Sequence, residues 1–162
     1  MTPPRRILGI DPGSQRTGYG VLDVCGNDLS PVAWGVIRTD SVGSFPDRLY
    51  RIHEQLSEVI RLHRPTEAAV EMVFLAKNAA AALKLGQARG AAIVTCRTHG
   101  LAVHEYSAKE IKQSATGFGS SPKEQVCGMV CRLLGIRKPI PLDASDALAI
   151  AFCRAMSRDL TP

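Results

Sequence analysis

Four carboxylates stand where an unpaired charge is costly to bury. Asp11 closes the apolar run ILGID, and Glu71 interrupts AAVEMVF. Asp143 and Asp146 lie three apart in PLDASDALAIAF, a spacing that puts both on one face of a helix. Each has a plain explanation alone: carboxylates at element ends are solvated, or complement a helix N-terminus. Together they suit chemistry, provided that the strands of Asp11 and Glu71 are neighbours and the last helix packs beside them. Clustered carboxylates repel one another and raise their own pKa values, and a hard divalent cation relieves that. Mg²⁺ prefers oxygen ligands and keeps waters for substrate phosphates. Two such ions roughly 4 Å apart stabilise both the attacking and the leaving oxygens of phosphodiester hydrolysis.

The elements that must position these acids follow from periodicity. RRILGID, TGYGVLDV and SPVAWGVIRT read as three strands joined by turns at Gly13 and at GND, an antiparallel meander. Leu49, Ile52, Leu56, Val59 and Ile60 then recur at helical spacing until Pro65. EAAVEMVF reads as a fourth strand, followed by an Ala-rich helix over 78–98 that Gly100 ends. LAVHEY is a fifth strand, and Ser107 caps a helix through AKEIKQSA. In SPKEQVCGMVCRLLGI the expected N-cap is Ser121, with Pro122 at the first helical position and Glu124 three residues after the cap. A last helix is expected over 142–158. This order predicts an α/β fold, a mixed sheet flanked by helices, in a single domain over residues 1–162.

Composition limits the partners. The 162 residues carry 20 Lys and Arg against 15 Asp and Glu, a net charge of +5 that favours an anionic partner such as nucleic acid. MTPPRRILGID does not read as a signal peptide, and no apolar run approaches the roughly 20 residues of a membrane span. Five cysteines form no disulfide framework and read as thiols of a reducing cytoplasm. Cys127 and Cys131, four apart, read as packing, since no histidine lies near them in sequence to complete a metal site.

The blocks ILGIDPGSQRTGYGVL, AVEMVFLAKNAAAALKLGQARGAAIV, EYSAKEIKQSATGFGSSPKEQV and DASDALAIA resemble, in order and over nearly the whole chain, the RuvC family of bacterial Holliday junction resolvases. The resemblance implies a ribonuclease H-like fold and a homodimer that cuts four-way DNA junctions with Mg²⁺, or Mn²⁺ in its place, at two ions per active site. It also implies the RuvA–RuvB branch-migration complex as a partner and a cytoplasmic place of action. The family's catalytic acids match Asp11, Glu71, Asp143 and Asp146. The residue after the catalytic Glu, often Gln in the family, is Met72 here.

DNA contacts are expected from Phe74 and Lys77, which follow Glu71, and from Lys112 and Lys123. An exposed aromatic stacks on unpaired bases and lysines meet phosphates, although a Phe also serves as core and most lysines are solvated. Phe74 matches an aromatic used at the junction centre, and Lys112 and Lys123 match basic residues implicated in the family. GFGSS at 117–121 is a weaker phosphate seat, and Arg16 and Lys84 are weaker candidates still. Ala79, Ala82, Gly86 and Gly90 make a stripe of small residues, which serves either a dimer contact or packing on the chain's own sheet. Rival readings are a ribonuclease H-like nuclease of another nucleic acid, a non-catalytic junction binder, and an actin-like ATP-binding domain. The last lacks a second phosphate loop.

Overall fold

The structure, a computed structural model, describes residues 4–73 and 78–157. Three antiparallel strands come first: β1 (Arg5–Asp11), β2 (Arg16–Cys25) and β3 (Asp28–Arg38). Helix α1 (Phe45–His63) leads to β4 (Glu67–Glu71), which joins β1 in parallel. Helix α2 (Ala79–Thr98) leads to β5 (Ala102–Tyr106), parallel to β4. Three helices follow: α3 (Ala108–Thr116), α4 (Lys123–Leu133) and α5 (Leu142–Met156). The sheet order is β3-β2-β1-β4-β5. Pro31, which has no amide hydrogen to donate, is tolerated on the edge strand β3, where the register slips between Val21 and Leu22 of β2. No described helix is long and apolar enough to cross a membrane.

The two-residue period of the strands sorts the sheet into two faces. Leu8, Ile10, Val21, Ala68 and Val70 pack with α1 and α2. Ile7, Leu22 and Ala69 pack with α3, α4 and α5. By the same alternation Asp11, Glu67 and Glu71 fall on the α5 face.

Most boundaries follow local chemistry. The Ser44 side chain caps α1 at Asp47, and Arg64 ends it in the left-handed region at φ 49, just before Pro65. Ser107 and Glu110 form a reciprocal capping box on α3. Gly100, at φ 79, turns the chain after α2.

Three boundaries differ from the sequence expectation. Strand β4 ends at Glu71, so this acid terminates its strand and does not interrupt it. The N-cap of α4 is Pro122, with no side-chain cap, because the Ser121 hydroxyl is taken by Thr116 Oγ1 at 2.6 Å. Helix α5 ends at Met156. Its far end is held by a buried ion cluster that the sequence reading missed. Arg154 meets Glu67 Oε2 at 2.7 Å, and Glu67 also pairs with Arg5 and His104.

Helix α2 is covered only in part. Ala88, Ala92, Thr95 and Cys96 are buried against the core, but Ala79, Ala82, Leu83 and Gly86 are exposed. A β-carbon added at Gly86 or Gly90 would touch nothing. The small-residue stripe therefore does not pack on the chain's own sheet.

Candidate active site

Parallel pairing brings the first two acids together. Ile10 lies opposite Val70, so Asp11 and Glu71, one residue further on, leave neighbouring strands at the same end and on the same face. The turn after Asp11 is pinned from below. Buried Thr17 donates to the Gly13 carbonyl at 3.1 Å, and buried Thr39 donates to the Ser14 carbonyl at 2.8 Å. Pro12 and Gly13 thus form a fixed corner that leaves Asp11 half-buried.

Helix α5 supplies the other two acids by lying almost on the backbone of β1 and β2. A β-carbon at Gly9 would overlap the Ala147 carbonyl, and one at Gly18 would overlap the Asp143 carbonyl. At Gly20 it would collide with the Leu148 side chain. These glycines serve close approach and have no positive φ to accommodate. Their absent side chains bring Asp143 and Asp146 down to Asp11.

The result is an oxygen cluster. One carboxylate oxygen from each of Asp11, Asp143 and Asp146 lies within 4.8 Å of the others. Glu71 stands outside that trio and lines the adjoining cleft, about 200 Å³ in volume, with Lys112, Lys123, Cys127 and Asp146. Burial pushes the Asp11 carboxyl up to about 7, and the charges of Asp146, Glu71 and Asp143 add to the effect against an opposing pull from Lys123. Burial also raises Glu71, with Lys123 opposing.

Asp146 is clamped on both oxygens. Lys123 Nζ lies 2.8 Å from Oδ2, and the Cys127 thiol donates to Oδ1 at 3.1 Å. Burial would lower the Lys123 ammonium, but its bond to Asp146 and the charges of Asp146, Asp11 and Glu71 outweigh that and hold it above its ordinary value. Burial pushes the Cys127 thiol up to about 12, so it stays a neutral donor. The donor set fits a hard divalent cation on chemistry visible here: the trio offers only oxygen, its carboxylates are destabilised by one another, and an ammonium already rests on one of them.

The four predicted acids therefore meet, three in one cluster and Glu71 beside it, and Lys112 and Lys123 reach the same cleft. Phe74 and Lys77 lie outside the described residues. Arg16 is exposed at the start of β2, and Lys84 is exposed on α2. Met72 is half-buried, and its amide donates to the Tyr106 carbonyl at 2.7 Å. Cys127, read from sequence as packing, is the residue that reading missed. Its signal was its place one helical turn after Lys123, on the same face.

Comparison with known proteins agrees with this geometry. The family model described as crossover junction endodeoxyribonuclease RuvC matches residues 7–154. The protein of that name from Methylococcus capsulatus is 56% identical over 153 residues, spanning 94% of this chain and 92% of the relative. That from Coxiella burnetii is 50% identical over 162 residues, spanning 99% and 94%. Among solved structures, Thermus thermophilus RuvC in complex with a Holliday junction substrate superposes with a TM-score of 0.87 at 35% identity, over 93% of each chain. The yeast mitochondrial Holliday junction resolvase, at a TM-score of 0.69 and 15% identity, shares the fold. By sequence and by structure, the chain belongs to the RuvC family of crossover junction endodeoxyribonucleases.

Proposed function

We infer that this chain is an endodeoxyribonuclease that resolves four-way DNA junctions by hydrolysing a phosphodiester bond, in recombination and repair. The observation that carries the chemistry is the convergence of Asp11, Asp143 and Asp146, with Glu71 beside them, at the mouth of a lysine-lined cleft. The family membership carries the substrate. Asp11, Asp143, Asp146 and Glu71 would hold Mg²⁺, or Mn²⁺ in its place, in a two-ion arrangement. When bound, the metal lowers the pKa of the attacking water and stabilises the charge developing on the phosphate.

The chain's own residues do the remaining work. The fixed Pro12–Gly13 corner and the glycine-backed α5 hold the carboxylates in place, so little reorganisation is left for the reaction. Lys112 and Lys123 bring positive charge to the cleft where a backbone phosphate enters. Lys123 also neutralises Asp146 before any metal arrives, which lets a polyanion approach a site that would otherwise repel it. Phe74 is assigned to the junction centre on the family match alone, and Lys77 to a backbone phosphate as a point charge.

Resolution needs two strands of like polarity cut together, which one site does not do in a single event. A two-fold homodimer meets that need. The exposed small-residue stripe of α2 supports it, because small side chains let two helices approach closely. Cooperation with the RuvA–RuvB complex, in the cytoplasm, rests on family membership.

The test is cleavage of a synthetic mobile four-way junction with strand mapping, beside duplex and DNA–RNA hybrid controls. Paired symmetric nicks in Mg²⁺ are expected from the wild type. Asp11→Asn, Glu71→Gln, Asp143→Asn and Asp146→Asn should each cost several orders of magnitude in rate and keep junction binding. Near-normal cutting by Glu71→Gln would remove that residue from the site. Preference for the hybrid would favour the other ribonuclease H-like reading.

A further inference from the structure

We propose that Phe118, on the loop between the two helices that bring lysines to the catalytic cleft, is a base-contacting residue that stacks on a nucleobase of the DNA strand entering it. The proposal rests on the junction-cleaving reading above and adds to it a contact from the loop between α3 and α4.

Phe118 is 70% exposed, although it is large and apolar. Its loop joins α3 to α4, and these helices supply Lys112 and Lys123 to the cleft. The loop is built to show the ring and keep it out of the core. Gly117, at φ 83, caps α3 in the left-handed region and turns the chain outward. The Thr116 hydroxyl then lies 3.2 Å from the Phe118 amide nitrogen, 3.1 Å from its carbonyl oxygen, 3.0 Å from the Lys112 carbonyl and 2.6 Å from Ser121 Oγ. Ser121 is itself buried, and its amide donates to the Phe118 carbonyl at 3.3 Å. The stem of Lys109 fills the space beside Gly119. These bonds fix the backbone of the loop on which the ring stands exposed. With the backbone fixed, only the two side-chain torsions of Phe118 are left to order on stacking.

Charge decides the occupant. Lys109 and Lys123 are exposed on the two helices that the Phe118 loop joins, and Lys112 lines the cleft between them. Helix α4 starts with no side-chain cap, and its Gln125 and Val126 amides turn back to the Pro122 carbonyl, so an anion would meet the amides ahead of them. A polyanion carrying flat apolar rings suits an aromatic flanked by ammonium groups, the combination by which proteins hold unpaired nucleic-acid strands. An acidic protein surface offers the charge without the rings.

The test uses the full chain and a four-way junction without metal, so that binding is read apart from cutting. Base–aromatic stacking is worth about 1–3 kcal/mol, so Phe118→Ala should weaken junction affinity by about 5- to 150-fold. Phe118→Trp should bind like the wild type, and Phe118→Leu should stay weak because it restores volume but no ring face. Junctions carrying 5-iododeoxyuridine around the cut should photocrosslink to residue 118 in the wild type. Circular dichroism should show all three variants folded, since the side chain is exposed. Wild-type affinity in Phe118→Ala, or full rescue by Phe118→Leu, would overturn the proposal. A wild type that neither binds nor cuts junctions would instead overturn the functional reading. A wild type that cuts, beside a Phe118→Ala protein of equal affinity, sinks this proposal alone.

Discussion

Asp146 shows how much of the site is set by single side chains. Cys127 and Lys123 fix its two oxygens, so the carboxylate is oriented before it has a metal to bind. Cys127→Ala frees Oδ1 to rotate, and Mn²⁺ affinity should fall by about tenfold, in the range seen when an outer hydrogen-bond partner of a metal ligand is lost. Cys127→Ser keeps a donor and should recover most of it; calorimetric titration with Mn²⁺ reads both. Asp11 makes a second prediction, about pH. Its carboxyl is raised in the folded chain to about 7, so it keeps its proton where the unfolded chain has lost one. Its contribution to metal-free stability is present below about pH 4 and is lost as pH rises through about 7. In chelator at pH 8, Asp11→Asn should therefore be more stable than the wild type by about 1–3 kcal/mol, a difference that vanishes near pH 4. Thermal melts of the two proteins across pH isolate this one group. An unchanging difference would show that Asp11 is not held in a destabilised charged state.

At the scale of elements, α5 is located at both ends by different physics. Near the acids it is held by contact: Gly9, Gly18 and Gly20 leave room for its backbone, and Ala147, Leu148 and Ala151 fill that room. At the far end it is held by charge, through Arg154 and Glu67. Gly18→Ala should push the first turn of α5 outward. We expect a folded protein destabilised by about 1–3 kcal/mol, the usual cost of overpacking, with divalent-metal affinity lost disproportionately. Arg154→Met leaves Glu67 with Arg5 and His104 and should cost about 2–4 kcal/mol, somewhat less than breaking an isolated buried pair. Its acids are far along the helix, so its Mn²⁺ affinity should stay within about threefold of wild type. Urea unfolding beside metal titration separates the two behaviours, and equal metal loss in both variants would mean that the helix moves as one rigid rod.

For the whole molecule the question is symmetry. The first half of α2 exposes Ala79, Ala82, Leu83 and Gly86, an apolar surface that the described residues leave uncovered. Gly86→Arg or Ala82→Arg has free space in the monomer and should fold normally. Under the dimer proposal either variant sediments as a monomer, keeps its Mn²⁺ affinity and nicks junctions one strand at a time. A folded Gly86→Arg protein that stays dimeric and cuts both strands in concert would place the interface elsewhere.

Much of this was legible in the chain before folding. Strand alternation and helix spacing act over two to four residues, so they mark β1, α1 and the face that Asp143 and Asp146 share without any tertiary information. Which helices Asp11 and Glu71 would face was not legible, because ILGI and AAV are apolar and buried on both sides of the sheet. The capping box at Ser107 was equally local, whereas the cap expected at Ser121 was lost to a hydroxyl on the preceding helix. What remained was long-range. That β1 pairs with β4, that Glu67 meets Arg154 across 87 residues, and that Cys127 and Lys123 close on Asp146 depend on how elements dock. Gly9, Gly18 and Gly20 look like turn or flexibility signals in one dimension. Only the packed structure reveals them as the floor on which α5 rests, because a missing side chain has meaning only against the neighbour that occupies its place.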